Sequence, residues 1–364
     1  MFDFDLSSEL GLLQRTAEDF ARQALWPALR SAERARAVAG EVAASYRDIG
    51  LGMLEVPEAL GGAGLGCLAR VLVNEALGAA DPGAAIALDR LGPALYALAE
   101  LGGSELLGRL GLPVLQDQAQ RAVLVTTKDG PFSTRGDRLS GTVPWVASDR
   151  VDLLVVLGRD DAVIVREGIE LSPVRGAGLR AAGASALTLT DARIETHLRG
   201  AEAAARALGR SRLYVASLLL GVLRQATEYG RTYAKEREAF GKKIAHHQAL
   251  AFLITDLAMA VEGVRVLVRE AAWLADRGQP FEAAAASALV EAIEASRVVG
   301  PAGVQLLGGH GFMQDHPAEK FMREARALGL MLGGVDAARE DAGLALCASE
   351  TPIELSSCVS EEPR

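Results

Sequence analysis

The spacing of the apolar residues changes twice along the chain and divides its 364 residues into three blocks. Over residues 7–112, apolar side chains recur at steps of three and four, which is the period of an amphipathic helix. Over residues 122–194, short runs rich in Val, Leu and Thr alternate with turn-forming Asp and Gly. The helical period returns over residues 204–347. The pattern therefore predicts an α+β protein in which a small sheet lies between two helical blocks.

The predicted organisation has three domains and a tail. A chain of this length exceeds the usual size of a single core, so several packed units are expected. We predict an N-terminal α-helical domain over residues 1–118, a small middle antiparallel β domain over 119–200 and a C-terminal four-helix bundle over 201–348. Residues 349–364 are polar and contain two prolines, which predicts a flexible tail.

Local patterns place elements inside these domains. Five runs rich in β-branched residues predict the strands of the middle domain, at residues 122–127, 139–146, 152–157, 162–165 and 186–190. Glycines predict the breaks between the C-terminal helices, at Gly230, Gly278 and the cluster 308–311.

Composition and charge exclude some functions. Half of the residues are hydrophobic and only 5% are aromatic, which favours long packed helices over an all-β sandwich. The formal net charge of −9 gives no general electrostatic reason to bind nucleic acid or an anionic membrane. The expected partners are therefore proteins and small molecules.

Cysteine and histidine spacing predicts neither disulfides nor a metal site. The three cysteines, Cys67, Cys347 and Cys358, form no Cys-x-x-Cys pair, which favours a reducing compartment. Three histidines have no second ligand at metal spacing and are predicted to be surface or packing residues: His246, His310 and His316.

No targeting or membrane segment is expected. Residues 1–5 are acidic where a secretory signal would be basic. The longest apolar run, 213–223, is too short to cross a bilayer. We therefore expect a cytoplasmic protein with no membrane span.

Three motifs in the third block stand in a fixed order. An Arg-x-x-Phe-Gly motif at 237–241 is followed by His-Gln at 247–248, and a Gln-x-x-Gly-Gly-x-Gly motif occupies 305–311. A Met-Arg-Glu-Ala-Arg run at 322–326 leads to Leu-Gly-Gly at 332–334. In this order the motifs resemble the acyl-CoA dehydrogenase family, whose last run commonly ends Glu-Gly-Thr.

The resemblance extends over nearly the whole chain. The stretch Val-Pro-Glu-x-x-Gly-Gly-x-Gly at residues 56–64 is similar to the N-terminal helical domain of the same family. The resemblance implies the family's architecture of helices, sheet and helices, a FAD cofactor, an acyl-CoA thioester substrate and an oligomeric assembly. It also implies that the two glycine-containing motifs serve one FAD from two different subunits.

The residue types at these motifs suit a flavin dinucleotide. FAD carries a doubly charged diphosphate between two flat ring systems, so its site needs a fixed cation, close backbone approach and apolar walls. Arg237 offers a forked donor, and Gly308 and Gly309 allow close approach because they lack a Cβ atom. With the resemblance, the candidate FAD-binding residues are Arg237, Phe240, Ile244, His247, Gln248, Gln305, Gly308, Gly309 and Trp145.

The part of the site that would face the flavin ring departs from the family pattern. Where relatives carry Thr-Glu-Pro-x-x-Gly-Ser-Asp, residues 126–130 read Thr-Thr-Lys-Asp-Gly and the rest of the loop is deleted. Where relatives carry Trp-Ile/Val-Thr/Ser, this chain has Trp145, Val146 and Ala147, so the hydroxyl is absent. The adenosine half of the FAD site is therefore predicted to be better preserved than the ring half.

No residue is predicted to act as the catalytic base. Removal of the α proton of an acyl thioester needs a positioned base, which contributes roughly 10²–10⁴ in rate. The resemblance aligns Leu332 with the family's glutamate and Ser211 with its alternative position, and neither side chain suits the task. Asp336 and Glu340 follow nearby, but helical spacing predicts that they are solvated.

The favoured hypothesis is a subunit of a heteromeric acyl-CoA dehydrogenase that completes the FAD site of a homologous, base-bearing partner. A self-sufficient dehydrogenase with a relocated carboxylate is one alternative. Altered flavin chemistry, as in an oxidase or a hydroxylase, is another. A flavin-free structural relative is the last.

Overall fold

The computed structural model of the chain describes residues 6–117 and 119–348. The predicted flexible tail at 349–364 lies outside the described residues. No helix among the described residues is long and apolar enough to cross a membrane.

The first block is helical, as its apolar spacing predicts. A π-helical turn at Ala21–Leu25 joins the first two helices, and Pro27 lies in the first turn of the second, where a missing N–H costs nothing. The helices of this block are α1 Ser8–Phe20, α2 Trp26–Ala35, α3 Gly40–Asp48, α4 Cys67–Ala80, α5 Pro82–Leu88, α6 Ala94–Leu106 and α7 Leu112–Gln116.

The middle block forms two four-stranded sheets with the orders β1-β4-β5-β8 and β2-β3-β7-β6. Their strands are β1 Ala122–Thr126, β2 Phe132–Arg135, β3 Arg138–Val146, β4 Leu153–Leu157, β5 Asp161–Val165, β6 Ile169–Pro173, β7 Ser185–Arg193 and β8 Thr196–Arg199. Pairing is antiparallel except between β1 and β4, which run parallel. The chain segment that connects these two strands contains β2 and β3, which belong to the other sheet. The α+β prediction with a small, largely antiparallel middle sheet is confirmed.

The five predicted strand runs correspond to β1, β3, β4, β5 and β7, which carry most of the buried apolar residues of the sheets. The pattern missed β2, β6 and β8, whose side chains are mostly exposed or half-buried. Strands with little apolar alternation give a weak sequence signal.

The third block is helical and contains a short hairpin. Its elements are α8 Ala201–Glu236, β9 Glu238–Ala239, β10 Lys242–Lys243, α9 Gln248–Asp276, α10 Glu282–Leu307, α11 Ala318–Leu328 and α12 Gly334–Ala348. Breaks occur at Gly278 and at the 308–311 cluster, as predicted. The break predicted at Gly230 is wrong: this glycine lies inside α8, where a Cβ atom would lie 2.9 Å from Leu306 Cδ1 of α10. Gly230 therefore permits close packing of two helices.

One continuous apolar core joins the first and third blocks, while a smaller core fills the space between the two sheets. Helix α8 is central to the large core because α4 and α10 both pack on it. Gly78 of α4 faces α8, and Gly221 of α8 faces α4; a Cβ atom on either would overlap the backbone of the other helix. This close crossing sets the position of α8, whose C-terminus leads directly into the first motif.

Candidate functional site

The first two motifs lie side by side on one surface of the same chain. The N–H of Arg237, just after α8, donates to the carbonyl of Tyr233 at 2.9 Å. The hydroxyl of Tyr233 is hydrogen-bonded to Nδ1 of His310, inside the second motif, at 2.8 Å. This surface, residues 233–248 and 305–310, is called the motif surface below. A single chain therefore brings the two motifs together at this surface.

A tight hairpin presents Phe240 to solvent. β9 and β10 are joined by Phe240 and Gly241, whose φ angles are 51° and 78°, so both residues are left-handed as in a type I′ turn. A left-handed aromatic residue is strained, and this side chain is 97% exposed. His247 supports the turn: its Nε2 is hydrogen-bonded to the carbonyl of Ala239 at 3.1 Å. The hairpin thus holds an apolar ring out from the protein.

The other candidate residues of the motif surface differ in exposure. Ile244 is buried under the hairpin, whereas Arg237 and Gln248 are exposed. Gln305 is also exposed, on the last turn of α10. These three polar side chains are free to meet a ligand, while Ile244 supports the hairpin from beneath.

The glycines of the second motif have two different roles. Gly308 has a φ of 58°, and a Cβ atom on Gly308 or Gly309 would meet nothing within 4 Å. Their backbone is therefore open to close approach by a ligand. A Cβ atom on Gly311 would instead overlap the carbonyl of Val304, so this glycine is required for packing.

Two histidines that the sequence predicts to be surface or packing residues belong to this surface or border it. His310 and His316 are stacked, with ring centroids 5.3 Å apart and planes 12° apart. His316 Nδ1 is hydrogen-bonded to the hydroxyl of Tyr229 at 2.8 Å. Sequence spacing could not reveal these pairs, because the tyrosines lie about 80 positions earlier in the chain. No group of three or more metal-ligating side chains occurs in the described part of the chain.

Leu332 fills the position where the family resemblance expects a base. It is 4% exposed and has a φ of 58°, in a short 3₁₀ turn between α11 and α12. It lines a cavity of about 60 Å³ together with Trp145, Ala147, Arg121 and Tyr214. Ligand pockets usually measure about 300–1,000 Å³. This cavity is therefore much smaller than a pocket that encloses a whole ligand.

Asp129 closes this cavity from the side of the middle block. Its Oδ2 accepts hydrogen bonds from the N–H of Thr126 at 2.6 Å and from the hydroxyl of Thr126 at 2.9 Å. Its Oδ1 accepts from the N–H of Gly333 at 2.8 Å. A Cβ atom on Gly333 would lie 2.6 Å from Lys128 Cβ, so the two segments are in contact. The shortened loop at 126–130 is thereby fastened to the turn that carries Leu332.

Two carboxylates line the cavity, and both are engaged by donors. They are Asp129 and Asp89. Asp89 Oδ1 accepts a hydrogen bond from the N–H of Gly92 at 3.0 Å, and Asp89 Oδ2 lies 3.6 Å from the guanidinium of Arg70. The oxygens of both carboxylates are therefore already used in contacts within the chain. Neither group replaces the missing glutamate effectively.

The remaining sequence candidates for a base also point elsewhere. The Ser211 hydroxyl is buried and donates to the carbonyl of Ala207 at 2.7 Å. Glu340 forms an exposed ion pair with Lys128 at 3.0 Å. Asp336 is exposed near the start of α12. None of these three side chains lines the cavity at Leu332.

A second, wider cavity of about 500 Å³ lies on the other side of the Leu332 turn. Trp145 lines both cavities, and Arg297 and Arg326 add positive charge to the wider one. Among the described residues, the lining of both cavities comes from the middle block and from helices outside the motif surface. Trp145 and the motif surface therefore belong to separate places on one chain.

The third motif is structural and joins all three blocks. Glu324 Oε2 accepts from the N–H of Leu179 at 2.7 Å, and its Oε1 accepts from Lys320 at 2.5 Å. Lys320 also lies 3.3 Å from Asp81, at the start of α5. Burial raises the pKa of Glu324, although Lys320 opposes that shift. Although burial disfavours its charge, the two carboxylates raise the pKa of Lys320. This buried ion cluster holds α11 against the other two blocks.

Comparisons with known proteins identify the relatives of the chain. A model of the acyl-CoA dehydrogenase N-terminal domain matches residues 7–110, and a model of the acyl-CoA dehydrogenase C-terminal domain matches residues 198–343. The mitochondrial short-chain specific acyl-CoA dehydrogenase of Bos taurus is 30% identical over 352 residues, covering 86% of this chain and 84% of that protein. Acryloyl-CoA reductase (NADH) of Anaerotignum propionicum is 27% identical, covering 89% and 91%. Among solved structures, butyryl-CoA dehydrogenase from Megasphaera elsdenii has the same fold, with a TM-score of 0.83, 22% identity and coverage of 95% and 100%.

Replacement of Asp129 by alanine is expected to loosen the Leu332 turn. The variant leaves the N–H groups of Thr126 and Gly333 without their acceptor, at a cost of about 1–3 kcal/mol. We expect a lower unfolding midpoint and faster amide hydrogen exchange at residues 331–333. Asp256→Ala, at an exposed position of α9, is the control and should change stability by less than about 0.5 kcal/mol. Unchanged exchange at 331–333 in the Asp129 variant would show that the loop does not hold this turn.

Replacement of Lys320 by methionine is expected to destabilise the protein in a pH-dependent way. The change leaves two buried carboxylates without their cation, which costs about 3–5 kcal/mol. Because loss of the cation raises the pKa of Glu324 further, the deficit should be largest near pH 7 and shrink as the pH falls and the carboxylates take up protons. Denaturant unfolding at pH 7 and pH 5 measures the difference, with Lys235→Met on the exposed end of α8 as control. A deficit that is equal at both pH values would contradict this account.

Proposed function

The chain belongs to the acyl-CoA dehydrogenase family, and we propose that it acts there as the non-base-bearing subunit of a heteromeric, FAD-dependent oxidoreductase. In this proposal, a homologous partner carries the catalytic base and binds the acyl-CoA thioester. This chain supplies the motif surface, which completes the partner's FAD site at the adenosine and diphosphate end.

The closed cavity around Leu332 carries the proposal. α,β-Desaturation of an acyl thioester moves the α proton to a base and the β hydride to the flavin. Leucine has no lone pair to accept a proton, and the cavity beside it measures only about 60 Å³, against about 300–1,000 Å³ for pockets that enclose a whole ligand. The Asp129 bonds to Thr126 and Gly333 keep it closed. A chain of this kind does not position its own thioester for proton removal.

The motif surface fits the adenosine and diphosphate half of FAD. Arg237 supplies a cation that can donate two parallel hydrogen bonds, and Gly308 and Gly309 offer open backbone beside it. Phe240 adds an exposed apolar ring, and Gln305 adds an exposed amide. FAD bound there supplies the hydride acceptor of the reaction. These side chains bind and orient its non-reacting end.

The ring half does not fit this chain. The loop at 126–130 is bonded to the Leu332 turn, and Ala147 has no hydroxyl to offer. Because both motifs lie together while Trp145 lies elsewhere, the natural division of a FAD site is between the motif surface of one subunit and the ring pocket of another. A partner with an intact ring pocket and a glutamate would complete such a site.

The alternatives have less support. A self-sufficient dehydrogenase would need Asp89 or Asp129 as its base, yet both carboxylates are engaged by donors in a cavity of only about 60 Å³. An oxidase or hydroxylase would need the same ring pocket. A flavin-free structural role does not account for a strained, 97% exposed Phe240 beside an exposed Arg237.

Co-expression with a glutamate-bearing homologue is the direct test. The chain purified alone should be colourless or weakly loaded with FAD, whereas the complex should be yellow and should be bleached by acyl-CoA. Arg237→Ala in this chain should lower the flavin content of the complex severalfold, because the diphosphate loses a bidentate cation. Arg231→Ala, six residues earlier on α8 and paired with Glu228, is the matched control.

The same experiment can overturn the proposal. Full FAD loading of the isolated chain, followed by bleaching with acyl-CoA, would identify a self-sufficient enzyme. A complex whose flavin content is unaffected by Arg237→Ala would show that this surface does not contribute to the cofactor site.

Replacement of Leu332 by glutamate tests whether only the base was lost. We expect little gain in acyl-CoA-dependent dye reduction, because the Asp129 bonds and the absent hydroxyl at Ala147 remain. Leu332→Gln is the control, because the glutamine side chain has nearly the same shape as glutamate but has no basic group. A rate for the glutamate variant more than about 100-fold above the glutamine variant would mean that a working ring pocket is present.

A further inference from the structure

The edge of the motif surface is built from a stack of aromatic and imidazole rings. Trp26 of α2 packs on Tyr229 of α8, which meets His316 edge-on at 6.0 Å. His316 stacks on His310, and Tyr233 closes the group by edge contacts to both imidazoles. His310 is exposed and His316 is half-buried. The stack therefore ends in a pair of parallel imidazoles at the protein surface.

Both imidazoles can gain a proton without losing their tyrosine partners. When each phenol donates to Nδ1, the neutral ring carries its hydrogen on Nε2. After protonation, Nδ1–H donates and the phenol oxygen accepts, so the hydrogen bond is kept with its direction reversed. Burial and the neighbouring Glu236 and Tyr233 raise the pKa of Tyr229, which keeps that phenol protonated throughout.

A second positive charge on the pair has no counter-ion within the described residues. Two parallel cations at a ring separation of 5.3 Å repel each other. No carboxylate of residues 6–117 or 119–348 lies within ion-pair distance of either ring; the histidine that has one is His197, with Asp161. An anion from outside the chain would supply the missing charge.

Several charged groups lie on the elements around the pair, and Arg30 among them is already engaged. Arg30 of α2 donates to the carbonyls of Gln314 and His316 and is paired with two carboxylates. Those two carboxylates are Glu33 and Glu319. Residues 228–237 and the connecting loop add Glu228, Tyr229, Arg231, Tyr233, Lys235, Glu236, Arg237 and Asp315, and α11 adds Lys320, Arg323, Glu324 and Arg326. Arg237, which is anchored to Tyr233 through its backbone N–H, is a cation on the same surface.

We propose that His310 and His316 form a proton-linked anion site at the edge of the motif surface, which binds the bridging diphosphate of a dinucleotide more tightly as the pH falls. This inference rests on the proposed function and deepens it by naming how that surface is regulated. Gly308 and Gly309 precede His310 directly and leave open backbone beside the imidazole pair. The pair therefore acts with Arg237 on one ligand group.

Proton linkage fixes the direction of the effect. A bound diphosphate favours the charged imidazoles over the neutral ones, so diphosphate binding is coupled to proton uptake by the pair. By reciprocity, protons favour diphosphate binding by the same factor. A rise of one unit in the pKa of one histidine on binding corresponds to about a tenfold gain in affinity between pH 8 and pH 6.

ADP-ribose is a suitable probe because it has the bridging diphosphate and the adenosine but no flavin ring. Its diphosphate does not titrate between pH 6 and pH 8, so a pH effect reports the protein. Titration calorimetry of the full chain, in buffers with different ionisation enthalpies, measures both affinity and the number of protons taken up. We expect about threefold to tenfold tighter binding at pH 6 than at pH 8, together with net proton uptake on binding.

Variants separate the histidine pair from the rest of the surface. The double variant His310→Gln/His316→Gln should lose the pH dependence and the proton uptake while still binding at pH 8. Tyr233→Phe, which removes the bond that orients His310, should reduce the pH effect. His197→Gln, on β8 of the middle block and outside the motif surface, is the control and should behave as the unmodified chain does.

The outcomes distinguish this inference from the proposed function. Binding that is independent of pH, an unchanged pH dependence in the double variant, or no ADP-ribose binding at either pH would overturn the inference. The proposed function is tested separately by the flavin content of the co-expressed complex with Arg237→Ala. The proposed function is retained if the complex with Arg237→Ala loses flavin, even when ADP-ribose binding shows no proton linkage.

Discussion

The carboxylate of Asp129 connects two segments that are 204 positions apart in sequence, and the state of the reacting end depends on this connection. One oxygen accepts from its own loop at Thr126, and the other accepts from Gly333 in the turn that carries Leu332. A longer loop would not need to lie against that turn. Through the Asp129 bonds, the loop at 126–130 is in direct contact with the turn between α11 and α12 that carries Leu332.

The other end of the site is arranged in the opposite way. At the motif surface, the side chains are exposed, the glycines face open space and an aromatic ring is held in solvent by a strained turn. A closed reacting end and an open adenosine end on one chain suit a protein that contributes to a site rather than containing one. The buried cluster of Lys320, Glu324 and Asp81 keeps the helices in register, so the family fold persists although the reacting end has closed.

The fold was largely predictable because it depends on repeated local patterns. Helical spacing and runs of β-branched residues recur over many positions, so single exceptions do not change the outcome. The errors have physical causes: Gly230 looks like a helix break but provides room for Leu306, and β2, β6 and β8 bury too little to show alternation. At the site, residue types predict a missing base and preserved FAD motifs, and both stay predictions. They could not predict the Asp129 bonds or the pairs of tyrosine and histidine, which join residues far apart in sequence.

The sequence by itself determined which chemical groups this protein has: leucine where a proton acceptor is expected, alanine where a hydroxyl is expected, and arginine with glycines where a diphosphate would lie. These facts follow from residue identity and order alone. The tertiary structure decided which of these groups act together. It placed both motifs on one surface, separated them from Trp145 and reduced the cavity at Leu332 to about 60 Å³. The reason is that cavity size and the division of a site between subunits depend on the packing of distant segments, which no local pattern specifies.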